Sequence, residues 1–121
     1  MWFVARRAVT GRNTAVIDEK RLGQALVYLA ETDEQAAARL TEMERAEFRA
    51  KATRDAVFMC ATGTVAERTA IAGDSTEYKA AMADYFAALQ EYNAMKNKRS
   101  TESIVIDVWR SLNSSRNKGN V

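Results

Sequence analysis

No proline occurs anywhere in the 121 residues, where average usage would supply roughly 6. Proline breaks helix interiors and marks turns, and the glycines at 11, 23, 63 and 73 stand isolated. A chain with so few breakers is confined to a small number of long helices. Ala36-Ala37-Ala38 and Ala80-Ala81 point the same way, because alanine has the best helix propensity. Length allows one domain. The composition, 47% hydrophobic and 28% charged, is that of an ordinary folded protein and excludes wholesale disorder, collagen and a disulfide scaffold. The longest apolar runs, such as Ile104-Val105-Ile106, are too short to cross a bilayer.

Capping signals divide the chain. Residues 1–17 form an N-terminal arm in which Trp2-Phe3-Val4 fits a short strand, a docking arm or sequence upstream of the true start. Asp18 is placed as an N-cap, with Ile17 and Leu22 as a hydrophobic staple. Leu22, Ala25, Leu26 and Leu29 then predict a short helix over 19–30. Thr32 and Gln35 form a capping box, with Asp33 and Glu34 in the favoured first turn. A second helix over 33–61 follows, with a seam of Ala36, Leu40, Met43, Glu47, Ala50, Arg54, Val57 and Ala61. Gly63 ends it. Thr64 and Glu67 open a helix of about two turns that Gly73 closes, and Asp74 with Glu77 start the last helix.

That last helix carries the clearest period in the chain: Tyr78, Met82, Tyr85, Leu89 and Tyr92. Lys96 and Arg99 continue the seam in polar form, and Ile104, Val105, Val108, Trp109 and Leu112 resume it on a shifted face. One helix over 76–112 with a seam change near 97–103 is expected, a break there being the alternative. Residues 113–121 read as a basic, frayed tail. A helix of that length spans roughly 55 Å, longer than the roughly 35 Å diameter of a compact globule of this size. The expected fold is therefore all-α, an elongated antiparallel hairpin of two long helices plus two short ones. It packs like a coiled coil, and a homo-oligomer covers the remaining apolar surface. Tyr78, Met82, Tyr85, Leu89, Tyr92 and Trp109 are the expected oligomer interface.

The chain has no histidine and one cysteine. This removes the usual metal sites, His-based triads and the Cys–His dyad. Glu42, Glu44 and Glu47 alternate with Arg45 and Arg49 as a solvated face does, and no phosphate-loop pattern exists. No catalytic residue, cofactor or metal is expected. Cys60 beside Phe58 and Met59 reads as a small buried hydrophobe in a reducing compartment. The order Trp2-Phe3-Val4 then Arg6-Arg7 is the reverse of a signal peptide, so a cytoplasmic location with no membrane partner is expected.

Charge is segregated. Residues 1–12 carry +3, residues 13–95 carry −5 and residues 96–121 carry +4. The basic C-terminal stretch is the place for a polyanion, with Lys96, Lys98, Arg99, Arg110, Arg116 and Lys118 as phosphate contacts. The tyrosine stripe is a weaker candidate for stacking on bases, because Asp84 and Glu91 flank it.

Thr62-Gly63-Thr64-Val65-Ala66-Glu67-Arg68-Thr69-Ala70, Glu77-Tyr78, the run from Tyr92 to Arg99 and Val108-Trp109-Arg110-Ser111 together resemble small helical proteins of tailed bacteriophages. These resemble accessory products encoded beside replication and recombination genes. The resemblance covers residues about 55–116 and implies a non-enzymatic accessory to nucleic-acid transactions in the host cytoplasm, with DNA or RNA as partner. The alternative is a protein–protein inhibitor of a host nuclease or defence enzyme, whose working surface is the acidic middle rather than the basic ends.

Overall fold

The computed structural model describes residues 17–119, with side chains up to residue 117. The N-terminal arm, including Trp2, Arg6, Arg7 and Arg12, and the side chain of Lys118 lie outside the described residues. Within them the chain is all-α, with three helices and no strand: α1 (Glu19–Cys60), α2 (Val65–Asp74) and α3 (Thr76–Gly119). No helix among the described residues is long and apolar enough to cross a membrane.

Several boundaries differ from expectation. Asp18 caps α1 as anticipated, its Oδ1 accepting from the Arg21 backbone N–H at 2.8 Å. The two helices expected over 19–30 and 33–61 are instead one. Thr32 does not act as a cap, because its hydroxyl donates to the Tyr28 carbonyl one turn earlier at 2.7 Å. That bond satisfies the side chain inside a continuing helix. At the other end Gly63 adopts φ +116°, a conformation that L side chains rarely adopt. Thr64 caps α2, accepting from the Glu67 N–H at 3.1 Å. Ser75, rather than Asp74, caps α3: its Oγ accepts from the Tyr78 N–H at 3.2 Å. Asp74 is the last residue of α2 and pairs with Lys79 at 2.7 Å. The predicted tail is helical as far as Gly119, so α3 outruns the expected end at 112.

The chain divides into two compact units. One comprises the described residues up to Thr32 with those from Lys98 onward; the other comprises Asp33–Asn97. In the 33–97 unit, α1 and α3 run antiparallel, joined by Arg39 to Glu91 at 2.9 Å and by Arg54 over the Tyr78 ring at 6.0 Å. The buried and half-buried positions of α1 here are Ala36, Arg39, Met43, Ala46, Glu47, Ala50, Thr53, Val57 and Phe58. Six of the eight expected seam positions (36, 43, 47, 50, 57 and 61) are therefore buried or half-buried. Leu40 and Arg54 are exposed, and Arg39, Ala46 and Thr53 occupy the alternate places. The stripe is widened to one side rather than moved, since Ala46 is buried while its neighbour Glu47 stays half-buried. On α3 the matching set is Tyr78, Ala81, Tyr85, Ala88, Tyr92 and Met95. The antiparallel register sets Ala46 level with Tyr85 and Ala36 level with Met95, a large side chain against a small one. Arg68 of α2 closes the unit's turn, its Nε donating to the Phe58 carbonyl at 3.2 Å and its guanidinium lying 4.2 Å from the Phe58 ring centroid.

In the other unit the seam residues are Leu22, Ala25, Leu29 and Thr32 on α1, with Arg99, Glu102, Ile106, Trp109 and Asn113 on α3. The seam change expected near 97–103 is absent: the four-and-three spacing continues from Met95 through Arg99 and Glu102. Those two polar residues occupy seam positions because each finds a partner there. The two long helices are accompanied by one short helix, not two.

Among the described residues the buried apolar set is Ala25, Ala46, Ala50 and Ala72, and no large side chain is fully buried. Cys60 is exposed, contrary to expectation. It is the last residue of α1, where the chain leaves the helix.

Two outcomes follow from this packing. Ala46→Leu should destabilise the protein by about 1–3 kcal/mol through overpacking, read as a lower denaturant midpoint. Gly63→Ala should cost about 1 kcal/mol or more, since the added Cβ would lie 2.8 Å from a Glu67 oxygen at a positive φ.

Candidate functional site

The basic residues singled out from sequence divide into committed and exposed groups. Arg99 is half-buried and turned inward. Its Nη1 donates to the Leu29 carbonyl at 2.9 Å and to Thr32 Oγ1 at 2.6 Å. Replacing Arg99 therefore disturbs packing, against the expectation that it sits on a purely solvated stretch. Lys98 is exposed but lies 4.9 Å from the Tyr28 ring centroid, a cation–π distance. Lys96 stands 5.8 Å from the Tyr92 ring centroid on its own helix. Arg110 is loosely associated with Asp107 at 3.7 Å and is 73% exposed. Arg116 is exposed. Lys96, Lys98, Arg110 and Arg116 thus reach solvent, and Arg99 does not offer its guanidinium in the same way.

The expected oligomer-interface residues also face inward. Tyr78, Met82, Tyr85, Leu89 and Tyr92 are half-buried in the 33–97 unit, and Trp109 is half-buried in the other. Their seam is used within the chain, so aspartates at Tyr85 and Leu89 would disturb the protomer itself. Apolar surface is exposed elsewhere, at Leu26, Val27, Leu40, Phe48, Met59, Phe86, Ile104, Val108 and Leu112 among others.

Sequence reasoning missed a charged cluster in the unit holding Lys98–Gly119. Arg21 donates through Nη1 and Nη2 to the two Glu102 oxygens at 2.8 and 2.7 Å, a two-pronged ion pair. Glu102 is only 7% exposed. The Arg21 hydrogen bonds outweigh the burial that opposes ionisation, so the Glu102 carboxyl is held below its ordinary range, with Lys98 one turn away adding to the effect. Arg21 is correspondingly raised, chiefly by the same hydrogen bonds. Asp74 is also lowered, mainly by its hydrogen bond from Lys79. The sequence signal for this cluster was Glu102 falling on the seam three residues after Arg99.

Among the described residues no three His, Cys, Asp or Glu side chains gather where they could hold a metal ion. A shallow groove in the 33–97 unit, lined by Gln35, Arg39, Glu42, Ala88 and Glu91, has mixed charge. Its two carboxylates are each paired with an arginine, Glu91 with Arg39 and Glu42 with Arg49, both at 2.9 Å.

A carboxyl lowered in the folded state stabilises the protein above its ordinary titration range, and that stabilisation is lost as pH falls through the lowered value. Wild-type stability should therefore drop on acidification below the ordinary carboxylate range. Glu102→Gln should remove part of that dependence and lower stability at neutral pH, since Arg21 loses a charged partner. Denaturant midpoints measured against pH check both.

Comparison with protein-family models, curated proteins and solved structures finds no match to this chain.

Proposed function

We propose that the chain is a non-enzymatic, self-associating helical protein whose two long helices form an antiparallel hairpin packed like a coiled coil, and whose basic C-terminal stretch contacts nucleic acid. One observation carries the reading. Among the described residues the fully buried apolar side chains are all alanines, while eleven large apolar side chains are exposed. Burying large apolar side chains supplies about 1.5–3 kcal/mol each, and a single protomer leaves most of that unused. Association with another chain recovers it.

Charge supports the nucleic-acid part. The last 26 residues carry +4 against −5 in residues 13–95, and four of their cations reach solvent. A scaffold that joins copies while presenting cations to phosphate suits an accessory to replication or recombination. On the resemblance to small phage proteins, the location proposed with this role is the cytoplasm of an infected host.

Size-exclusion chromatography with light scattering, with ultraviolet absorbance recording any co-purified nucleic acid, tests both parts in one run. An oligomeric mass is expected, with affinity for DNA or RNA that falls as salt rises, by a slope of roughly 0.7–0.9 per phosphate contact. Combining Lys96→Gln, Arg110→Gln and Arg116→Gln should lower that slope by about 2–3 units while leaving the helical circular dichroism unchanged. Binding indifferent to salt, or a triple variant that binds as wild type does, would favour the protein-inhibitor reading.

A further inference from the structure

The outer face of α1 in the 33–97 unit carries a second regular pattern. Thr41, Arg45, Phe48, Ala52, Asp55 and Met59 recur at spacings of four and three residues, so they form one stripe along the helix. All six are exposed, with Phe48 and Met59 each at 72%. The stripe is separate from the seam that α1 turns toward α3, on which Ala46 and Ala50 are buried. The Asp55 side chain is 73% exposed and meets Arg54 only at 3.7 Å, long for an ion pair.

We propose that this stripe is the self-association surface, pairing antiparallel with the same stripe of a second copy about a two-fold axis level with residue 50. The inference rests on the self-association reading above and specifies its interface. In that arrangement Phe48 packs on Ala52 of the second copy, a large side chain on a small one. Arg45 meets Asp55 of the second copy, and Thr41 meets Met59. Each contact occurs twice, as an isologous interface requires. A parallel pairing would instead set Arg45 on Arg45, Asp55 on Asp55 and Phe48 on Phe48, with like charges opposed. Charge and size therefore both select the antiparallel arrangement and a second copy as occupant. The stripe runs about 27 Å along the helix. A single helix contact of that length lies at the small end of specific interfaces, so the pairing depends on protein concentration.

Light scattering across a concentration series on the full chain, with three sets of variants, tests the assignment. Phe48→Glu should shift the protein to monomer mass with unchanged helical circular dichroism, since that side chain contributes little to the protomer's own packing. Arg45→Asp and Asp55→Arg should each weaken association, and the double exchange should restore it. A nitroxide on the native, exposed Cys60 reads orientation. Antiparallel copies hold the two labels about 30 Å apart along the helix axis, whereas parallel copies bring them to about 10 Å. If the wild type is monomeric at every concentration, both the self-association reading and this interface fall. If it is oligomeric and Phe48→Glu and the charge exchanges leave the mass unchanged, self-association stands and this surface falls. A short spin–spin distance overturns the antiparallel pairing.

Discussion

Close approach of paired helices at alanine governs the rest of this structure. Ala46 and Ala50 in one unit and Ala25 in the other are the points where α1 offers only a methyl group to its neighbour. Backbones that approach so closely leave room for one large side chain per level, supplied in the 33–97 unit by Tyr85 and Met95 of α3. Leu22, Leu29, Met43 and Val57 of α1 are half-buried on the seam, while Leu26 and Leu40 are exposed. An alanine seam gains little from apolar burial, roughly 25 cal/mol per Å², so the protomer relies on the length of its helices and on what covers its outer surface.

Where α1 meets the later part of α3, polar bonds replace apolar packing. Arg21 grips Glu102 in a two-pronged ion pair, while Arg99 reaches across to the Leu29 carbonyl and the Thr32 hydroxyl. Buried ion pairs contribute little net stability against apolar residues of the same volume, but removing one partner is strongly destabilising. Their consequence here is specificity. Glu102 and Arg99 can be satisfied at only one alignment of the two helix segments, whereas a seam of alanines would tolerate sliding. The same bonds withdraw Arg99 from the basic surface, while Lys98, Arg110 and Arg116 of α3 stay exposed.

Exposed apolar side chains occur in both units, with Ile104, Val108 and Leu112 lying among the C-terminal cations. Phe48 and Met59 lie on α1 in a unit whose residues are acidic overall and which also holds Lys96, whereas Lys98, Arg110 and Arg116 lie on α3 in the other unit. A helical protein arranged this way can multiply weak phosphate contacts by bringing several copies together, since linked sites raise effective concentration without any new contact.

Much of this was legible in the sequence. The absence of proline, the Asp18 cap, the Thr64–Glu67 box and the isolated Gly63 fixed an all-helical chain and most of the positions where helices begin, because these effects act within one or two turns. The four-and-three spacing on α3 from Tyr78 to Tyr92 marked a packed face for the same local reason. What only tertiary packing decided were choices between locally equivalent options. Thr32 fits a cap as well as an interior position, and the bond from Arg99, 67 residues away, accompanies the interior choice. Leu40 and Arg39 both satisfy helical spacing, and the ion pair with Glu91 of α3, 52 residues away, accompanies the inward place of Arg39. Polar Arg99 and Glu102 look like an interruption until Thr32, Leu29 and Arg21 face them. Local sequence set the helices; which side of each helix became the seam depended on partners distant in the chain, because burial is a property of the pair.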